Sequence, residues 1–222
     1  MVYDFHTHTV LSDGSLSAVE LARRAIVNGY QALAITDHAG VGSLERILRE
    51  LTLDCALVEK QWGIVALPGV ELTHLPPAAI AATAAKAKEL GAKIVIVHGE
   101  TPVEPVEPGT NRAAIQSPHV DVLAHPGLLT QADAELAAET GIYLEVSARK
   151  GHSITNGHVV RVAVKAGARL VVDSDAHEPE DLLTEVFART VALGAGIDPE
   201  QLLEVLQNNP QMLLKKLGAT LK

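Results

Sequence analysis

The chain has 222 residues, of which 47% are hydrophobic but only 3% aromatic, and it carries a net charge of −9. Its core must therefore be aliphatic, and it has too few aromatic rings to form a base-stacking platform. The acidic balance leaves no basic footprint for a phosphate backbone, although bound divalent cations would reverse the field locally.

In chain order, seven short apolar runs read as strands: Val2–Phe5, Ala32–Ile35, Ile64–Val70, Ile94–Val97, Val120–Ala124, Ile142–Val146 and Leu170–Val172. They are rich in Val and Ile and mostly unbroken, as expected of parallel strands buried on both faces. Helical stretches separate them. Ser17 to Glu20 has the capping-box pattern and opens a helix running to Asn28 and Gly29. Ser43–Lys60, Pro77 to Gly91, Thr110–Gln116, Gln131–Thr140, Thr155–Ala166 and Pro179–Leu193 continue the alternation, and Pro199–Gln207 and Pro210–Leu217 read as two closing helices. Strand-then-helix order implies a parallel sheet. Unbroken repetition over residues 1–222 favours one closed or nearly closed (β/α)7 barrel over an open sheet.

Polar residues of one kind end these runs. His6 and His8 follow the first, Asp37 and His38 the second, Glu71 the third, His98 the fourth, His125 the fifth, Glu145 the sixth, and Asp173, Asp175 and His177 the last. Residues i and i+2 of a strand share a face, so His6/His8 and Asp175/His177 are each a pair of neighbouring ligand types. In a parallel barrel the C-terminal strand ends form one rim, where active sites assemble. One histidine at a strand end is ordinarily a hydrogen-bonded loop residue. A whole rim of them implies a polynuclear metal site, and imidazole mixed with carboxylate suits Zn, Mn or Fe.

The ordered segments His6-Thr7-His8-Thr9, Ser12-Asp13-Gly14, Thr36-Asp37-His38, Gly69-Val70-Glu71, Val97-His98-Gly99, Ala124-His125-Pro126 and Ser174-Asp175-Ala176-His177 resemble the motif set of the PHP (polymerase and histidinol phosphatase) family. The resemblance implies a distorted seven-stranded TIM-like barrel with three divalent transition metals that hydrolyses phosphoesters through a metal-activated water. By motif, it implies that His6, His8, Glu71 and Asp175 hold one metal. Glu71 bridges to a second, held also by His98 and His125. Asp13, His38 and His177 hold the third. Asp175 and His177 are candidates to assist the chemistry. Several relatives carry His where this chain has Asp13, and an oxygen ligand there shifts preference from zinc toward manganese or iron.

Glu145 and Asp37 are candidates to orient metal-bound groups, as is Asp173. Arg149 and Lys150 form the densest cationic patch at the rim and are candidate phosphate anchors, with Asn111-Arg112 a weaker option. The Pro- and Glu-rich loop from Gly99 to Gly109 is expected as a stiff lip over the site. His74 and His119 read as surface loop residues, His152 and His158 as loop or helix groups facing solvent, and Cys55 as a packed helix residue.

A small phosphorylated substrate is the favoured partner, as for a histidinol-phosphatase-like phosphomonoesterase. A phosphodiesterase or exonuclease acting on nucleotides or nucleic acid is the less favoured reading, opposed by the charge. The third is a non-catalytic subunit, because the ribonuclease P protein of this fold is similar and His98-Gly99-Glu100 with its Pro-rich loop resembles it. One cysteine excludes an internal disulfide framework, and no signal-peptide pattern or membrane-length apolar run is present. A soluble, cytoplasmic protein with no membrane partner is expected, and the sequence carries no signal for its oligomeric state.

Overall fold

The computed structural model describes residues 1–221. Strands β1 (Val2–Asp4), β2 (Tyr30–Ile35), β4 (Val65–Leu72), β5 (Ile94–His98), β6 (Val122–Ala124), β7 (Tyr143–Ser147) and β8 (Arg169–Asp173) lie side by side in that order, and every pair is parallel. A two-residue strand, β3 (His38–Ala39), pairs with the end of β4. Helices α1 (Ala18–Val27), α2 (Leu44–Trp62), α3 (Pro77–Glu89), α4 (Thr110–Gln116), α5 (Gln131–Thr140), α6 (Asn156–Ala166) and α7 (Glu185–Gly194) alternate with the strands. The result is the nearly closed (β/α)7 barrel expected from the alternation.

The barrel closes between β1 and β8 without a full ladder. Thr7 and Ala176 form a parallel bridge, and His8 N donates to Ala176 O at 2.9 Å. Below it, two buried carboxylates take the place of backbone acceptors. Phe5 N donates to Asp173 Oδ1 at 2.6 Å, and Ser174 N donates to Asp4 Oδ1 at 3.1 Å. Tyr30 Oη also donates to Asp4, at 2.8 Å. Asp173, a candidate to orient metal-bound groups, thus has its place in this seam.

Strand alternation sorts the side chains into two cores. Tyr3, Phe5, Ala32, Ala34, Val65, Leu67, Ile94, Ile96, Val122 and Val171 fill the barrel interior with others of their kind. The remaining apolar strand residues pack outward on the helices. The inward series continues upward into chemistry: Ile94 and Ile96 are followed by His98, and Val65 and Leu67 by Gly69 and Glu71. Leu213 and Leu214 of α8 (Asn209–Lys216) join the interior cluster, and Gln211 bonds Tyr3 Oη, so α8 covers the N-terminal ends of the strands.

Gly69 is the one inward position where a side chain has no room. A Cβ there would stand 2.5 Å from Ile94 Cγ2 and 2.7 Å from Ile94 O. Gly69→Ala is expected to destabilise the barrel by about 1–3 kcal/mol through overpacking. That should lower Tm by at least ~2 °C, and an unchanged urea midpoint would count against so tight a contact.

Two helix expectations change. Pro179–Leu193 is not one helix, because only Pro179–Asp181 forms a 3-10 turn. Leu182 and Leu183 then drop into the core, Leu183 N donates to Tyr30 Oη, and Thr184 caps α7 by accepting from Phe187 N. The two closing helices are instead one helical run containing a wide π turn over Glu204–Asn208. Pro210 has no N–H and would crowd a carbonyl one turn back, and the wider turn relieves both problems.

Candidate metal centre

The strand-end residues meet on one rim. Glu71 lies at their centre: its Oε1 is 3.4 Å from Nε2 of both His6 and His125, and its Oε2 is 2.6 Å from His38 Nδ1 and 3.8 Å from His8 Nε2. Asp175 Oδ1 is 3.2 Å from His8 Nε2, and its Oδ2 is 3.7 Å from His125 Nε2. Asp13 Oδ1 joins His38 Nε2 at 3.5 Å and His177 Nε2 at 3.3 Å. Local backbone is bent to make this convergence. His125 and Asp175 both adopt positive φ, at 25° and 53°, a conformation that costs energy and clusters at functional sites. The Asp13 turn folds back so closely that a Cβ on Gly14 would lie 2.5 Å from His8 O.

Each ring that has a carbonyl partner has its tautomer fixed. His98 Nδ1 lies 3.2 Å from Gly99 O, and His177 Nδ1 lies 3.0 Å from Asp175 O. A carbonyl only accepts, so Nδ1 carries the proton and Nε2 offers its lone pair to the rim. His6 Nδ1 is held by Glu145 Oε2 at 2.6 Å, and His38 Nδ1 lies 2.7 Å from Thr73 Oγ1. Asp37 acts differently: its carboxylate accepts from Thr9 N and Oγ1 and from Ser12 N and Oγ, fixing the loop that carries Asp13.

Cations fit this donor set. His6 Nε2, both nitrogens of His8, Glu71 Oε1 and His125 Nδ1 are buried with no hydrogen-bond partner, a costly arrangement unless something else satisfies them. With metal bonds of about 2.0–2.2 Å, neighbouring ligand atoms stand roughly 3–3.6 Å apart, close to the spacings above. Ligand atoms of His8, Asp13, His38 and His177 lie within 4.8 Å of one another, as do those of His6, Glu71 and His125 and those of His6, His8 and Asp175.

Electrostatics point the same way. Burial would raise the Glu71 carboxyl, but His6, His38 and His98 overcome it and hold it well below the usual range. Asp175 is likewise lowered against burial, by His6 and His8. Burial disfavours a charged His38, yet Glu71 and Asp13 lift it to about 10. His8 goes the other way, to about 4, because burial outweighs its bond to Asp175. Without a cation, the neighbouring carboxylates raise the pKa of both His6 and His38 against their burial.

Two residues at the rim escaped the sequence reading. His152 is not solvent-facing: it is 5% exposed, its ring stacks on His125 at 4.1 Å, and its Nε2 lies 3.4 Å from Glu104 and 3.8 Å from Asp175. Glu104, from the Pro-rich loop, also reaches His98 Nε2 at 3.1 Å and His74 Nε2 at 3.3 Å, so this loop does extend to the site and His74 stands at its edge. The only signal for His152 was its place just past β7, where the other strands also deliver ligands.

Arg149 leans on the centre, donating from Nη1 to Asp175 O at 3.2 Å, with Asp181 at 3.6 Å. Lys150 is exposed. Arg112 is tied up with Asp133 at 2.6 Å, and Asn111 bonds Glu100 N and Pro126 O. Cys55 is buried in α2, where burial first and then Glu59 and Asp54 push its thiol up.

The PHP domain model matches residues 4–107. An uncharacterized protein of Methanocaldococcus jannaschii is 47% identical, covering 98% of this chain and all of its own length. A probable phosphatase of Thermoanaerobacter sp. is 30% identical, covering 91% of this chain and 90% of that protein. Ribonuclease P protein component 3 of Methanosarcina mazei is 26% identical over 96% and 89%. Among solved structures, the histidinol phosphate phosphatase of Lactococcus lactis, crystallised with zinc, L-histidinol and phosphate, shares the fold at a TM-score of 0.58 and 13% identity, covering 89% of this chain and 94% of that one. The chain belongs to the PHP family. Among the described residues, no helix is long and apolar enough to cross a membrane.

Proposed function

We propose that the protein is a metal-dependent phosphoesterase, acting on a small phosphomonoester at a site that holds three divalent cations. The observation that carries this reading is the rim itself: His6, His8, Asp13, His38, Glu71, His98, His125, Asp175 and His177 converge, with unpartnered lone pairs buried between them. We assign His6, His8, Glu71 and Asp175 to one cation, Glu71, His98 and His125 to a second, and Asp13, His38 and His177 to the third. We assign residues 1–222 to one functional domain.

Bound here, the cations would supply Lewis acidity toward a phosphoryl oxygen and neutralise charge that develops on it. The chain's own groups do the rest. Glu145 fixes the ring of His6 through Nδ1, and the Gly99 and Asp175 carbonyls fix His98 and His177. Arg149 presents its guanidinium beside Asp175, where it can clamp phosphate oxygens by two parallel bonds, with Lys150 adding charge at the mouth. We assign Asp175 and His177, 3.5 Å apart, as the candidates to assist proton movement.

The test is hydrolysis of a panel of phosphomonoesters, dinucleotides and single-stranded oligonucleotides with Zn²⁺ or Mn²⁺. Turnover confined to monoesters is expected; faster cleavage of the diesters would make the protein a phosphodiesterase or exonuclease. The ribonuclease P relative favours a second reading, a non-catalytic binding subunit. Absence of turnover on the whole panel, with cations bound, would support it. With a cleaved substrate in hand, Arg149→Ala should cost about 1–3 kcal/mol in kcat/KM while retaining all cations. Unchanged kinetics would return Arg149 to a structural role at the Asp181 turn.

A further inference from the structure

The assignments above leave the second cation with two imidazoles and a shared carboxylate, and a third imidazole beside them without a task. His152 opens the 3-10 turn after β7, next to Gly151, which has φ 96°. Its Nδ1 lies 2.8 Å from Thr101 Oγ1, a buried pairing across 51 residues of sequence. That bond leaves Nε2 as the atom facing the rim. One ring nitrogen from each of His98, His125 and His152 lies within 4.8 Å of the other two, and all three residues are buried. The nitrogens of His98 and His152 also face one carboxylate, that of Glu104, which meets them through separate oxygens, Oε2 at 3.1 Å and Oε1 at 3.4 Å.

We infer that His152 is a tenth metal-ligating side chain, completing a three-imidazole set with His98 and His125 at the second cation. This rests on the metal-dependent reading given above. It changes the chemistry of that position: three imidazoles and the shared Glu71 carboxylate make a four-coordinate nitrogen-rich set that suits zinc. The third position, with Asp13, stays richer in oxygen. Thr101 is then a positioning residue that holds the ring for its metal, as a hydroxyl or carboxylate does behind most ligating histidines.

The experiment is Zn²⁺ binding to the full chain, by calorimetric titration and by elemental analysis after dialysis, comparing the natural protein with His152→Gln. The variant is expected to lose one Zn²⁺ per chain, with the remaining sites at natural affinity. Thr101→Val should keep that site but weaken it about 10–100-fold. A His152→Gln chain that keeps every Zn²⁺ at natural affinity overturns the inference. It does so even if inorganic phosphate binds less well, which would make His152 a substrate contact. If His152→Gln loses all cations together with its circular-dichroism signature, Thr101→Val decides: selective weakening of one site supports the inference, and unchanged affinity at every site overturns it. A natural chain that binds no Zn²⁺ at all overturns the metal-dependent reading, and this inference with it.

Discussion

Glu71→Gln is expected to abolish hydrolysis and to leave the protein with about two fewer bound cations than the natural chain. The carboxylate is fully buried, and its Oε1 lies 3.4 Å both from His6, assigned to the first cation, and from His125, assigned to the second. In the proposed assignment that carboxylate would supply the counter-charge shared by two dications. An amide of the same size leaves them to repel each other through a poorly screening interior. Asp13→Ala supplies the contrast. Asp13 lies at the exposed edge of the rim, where it meets His38 and His177, so its loss should remove the third cation alone and spare part of the activity. Elemental analysis of the two variants separates the cases. Equal losses, or a Glu71→Gln enzyme that still turns over, would show that the bridge is a different residue.

Chelation should destabilise the fold, and more so at higher pH. A ligand that binds only the folded state at a hundred times its Kd adds about 2.7 kcal/mol, which for a chain of this size is roughly 5–10 °C in Tm per site. Protons set the pH dependence. In the cation-free protein, His38 has its pKa raised to about 10. Its charged form then stabilises the fold fully below the unfolded histidine pKa of about 6.5, and that contribution is lost as pH rises through its folded value. Cation binding shows the opposite trend, because it must displace the proton and so weakens as pH falls. The Tm gap between loaded and chelated protein should therefore widen from pH 6 to pH 8. Scanning calorimetry at the two pH values checks this, and a gap that narrows with pH would mean that cations do not compete with these protons.

Most of the rim was legible because two regularities coincide there. A parallel strand buried on both faces reads as an unbroken apolar run, and the residue ending it sits on the functional face of a barrel. His6, His38, Glu71, His98 and His125 could be ranked on that basis, and the i, i+2 pairs added His8 and His177. His152 and Glu104 obey neither rule. His152 is placed by a 3-10 turn and by a hydroxyl from a distant loop, and Glu104 by the path of a Pro-rich segment with no periodicity. Among the helices, Leu182 and Leu183 are helix formers in isolation, yet the barrel's need for two more core side chains pulls them out of helical geometry. Tertiary packing overrides propensity at both places, and packing is what a single sequence hides.

The seam between β1 and β8 also bears on how the protein comes to hold its cations. Phe5 and Asp173, joined across it, are 168 residues apart in sequence, and the candidate ligand pairs His6/His8 and Asp175/His177 lie just beyond them. In the proposed assignment, a cation held by His6, His8 and Asp175 would be a removable cross-link closing most of the chain into a loop. In the chain-entropy picture, tying off a loop of ~100 residues is worth about 4.7 kcal/mol. Such contacts are also the slowest to find, because everything between them must first be in place. Loading with metal should then follow folding rather than guide it, and once loaded the chain should unzip from this clasp last.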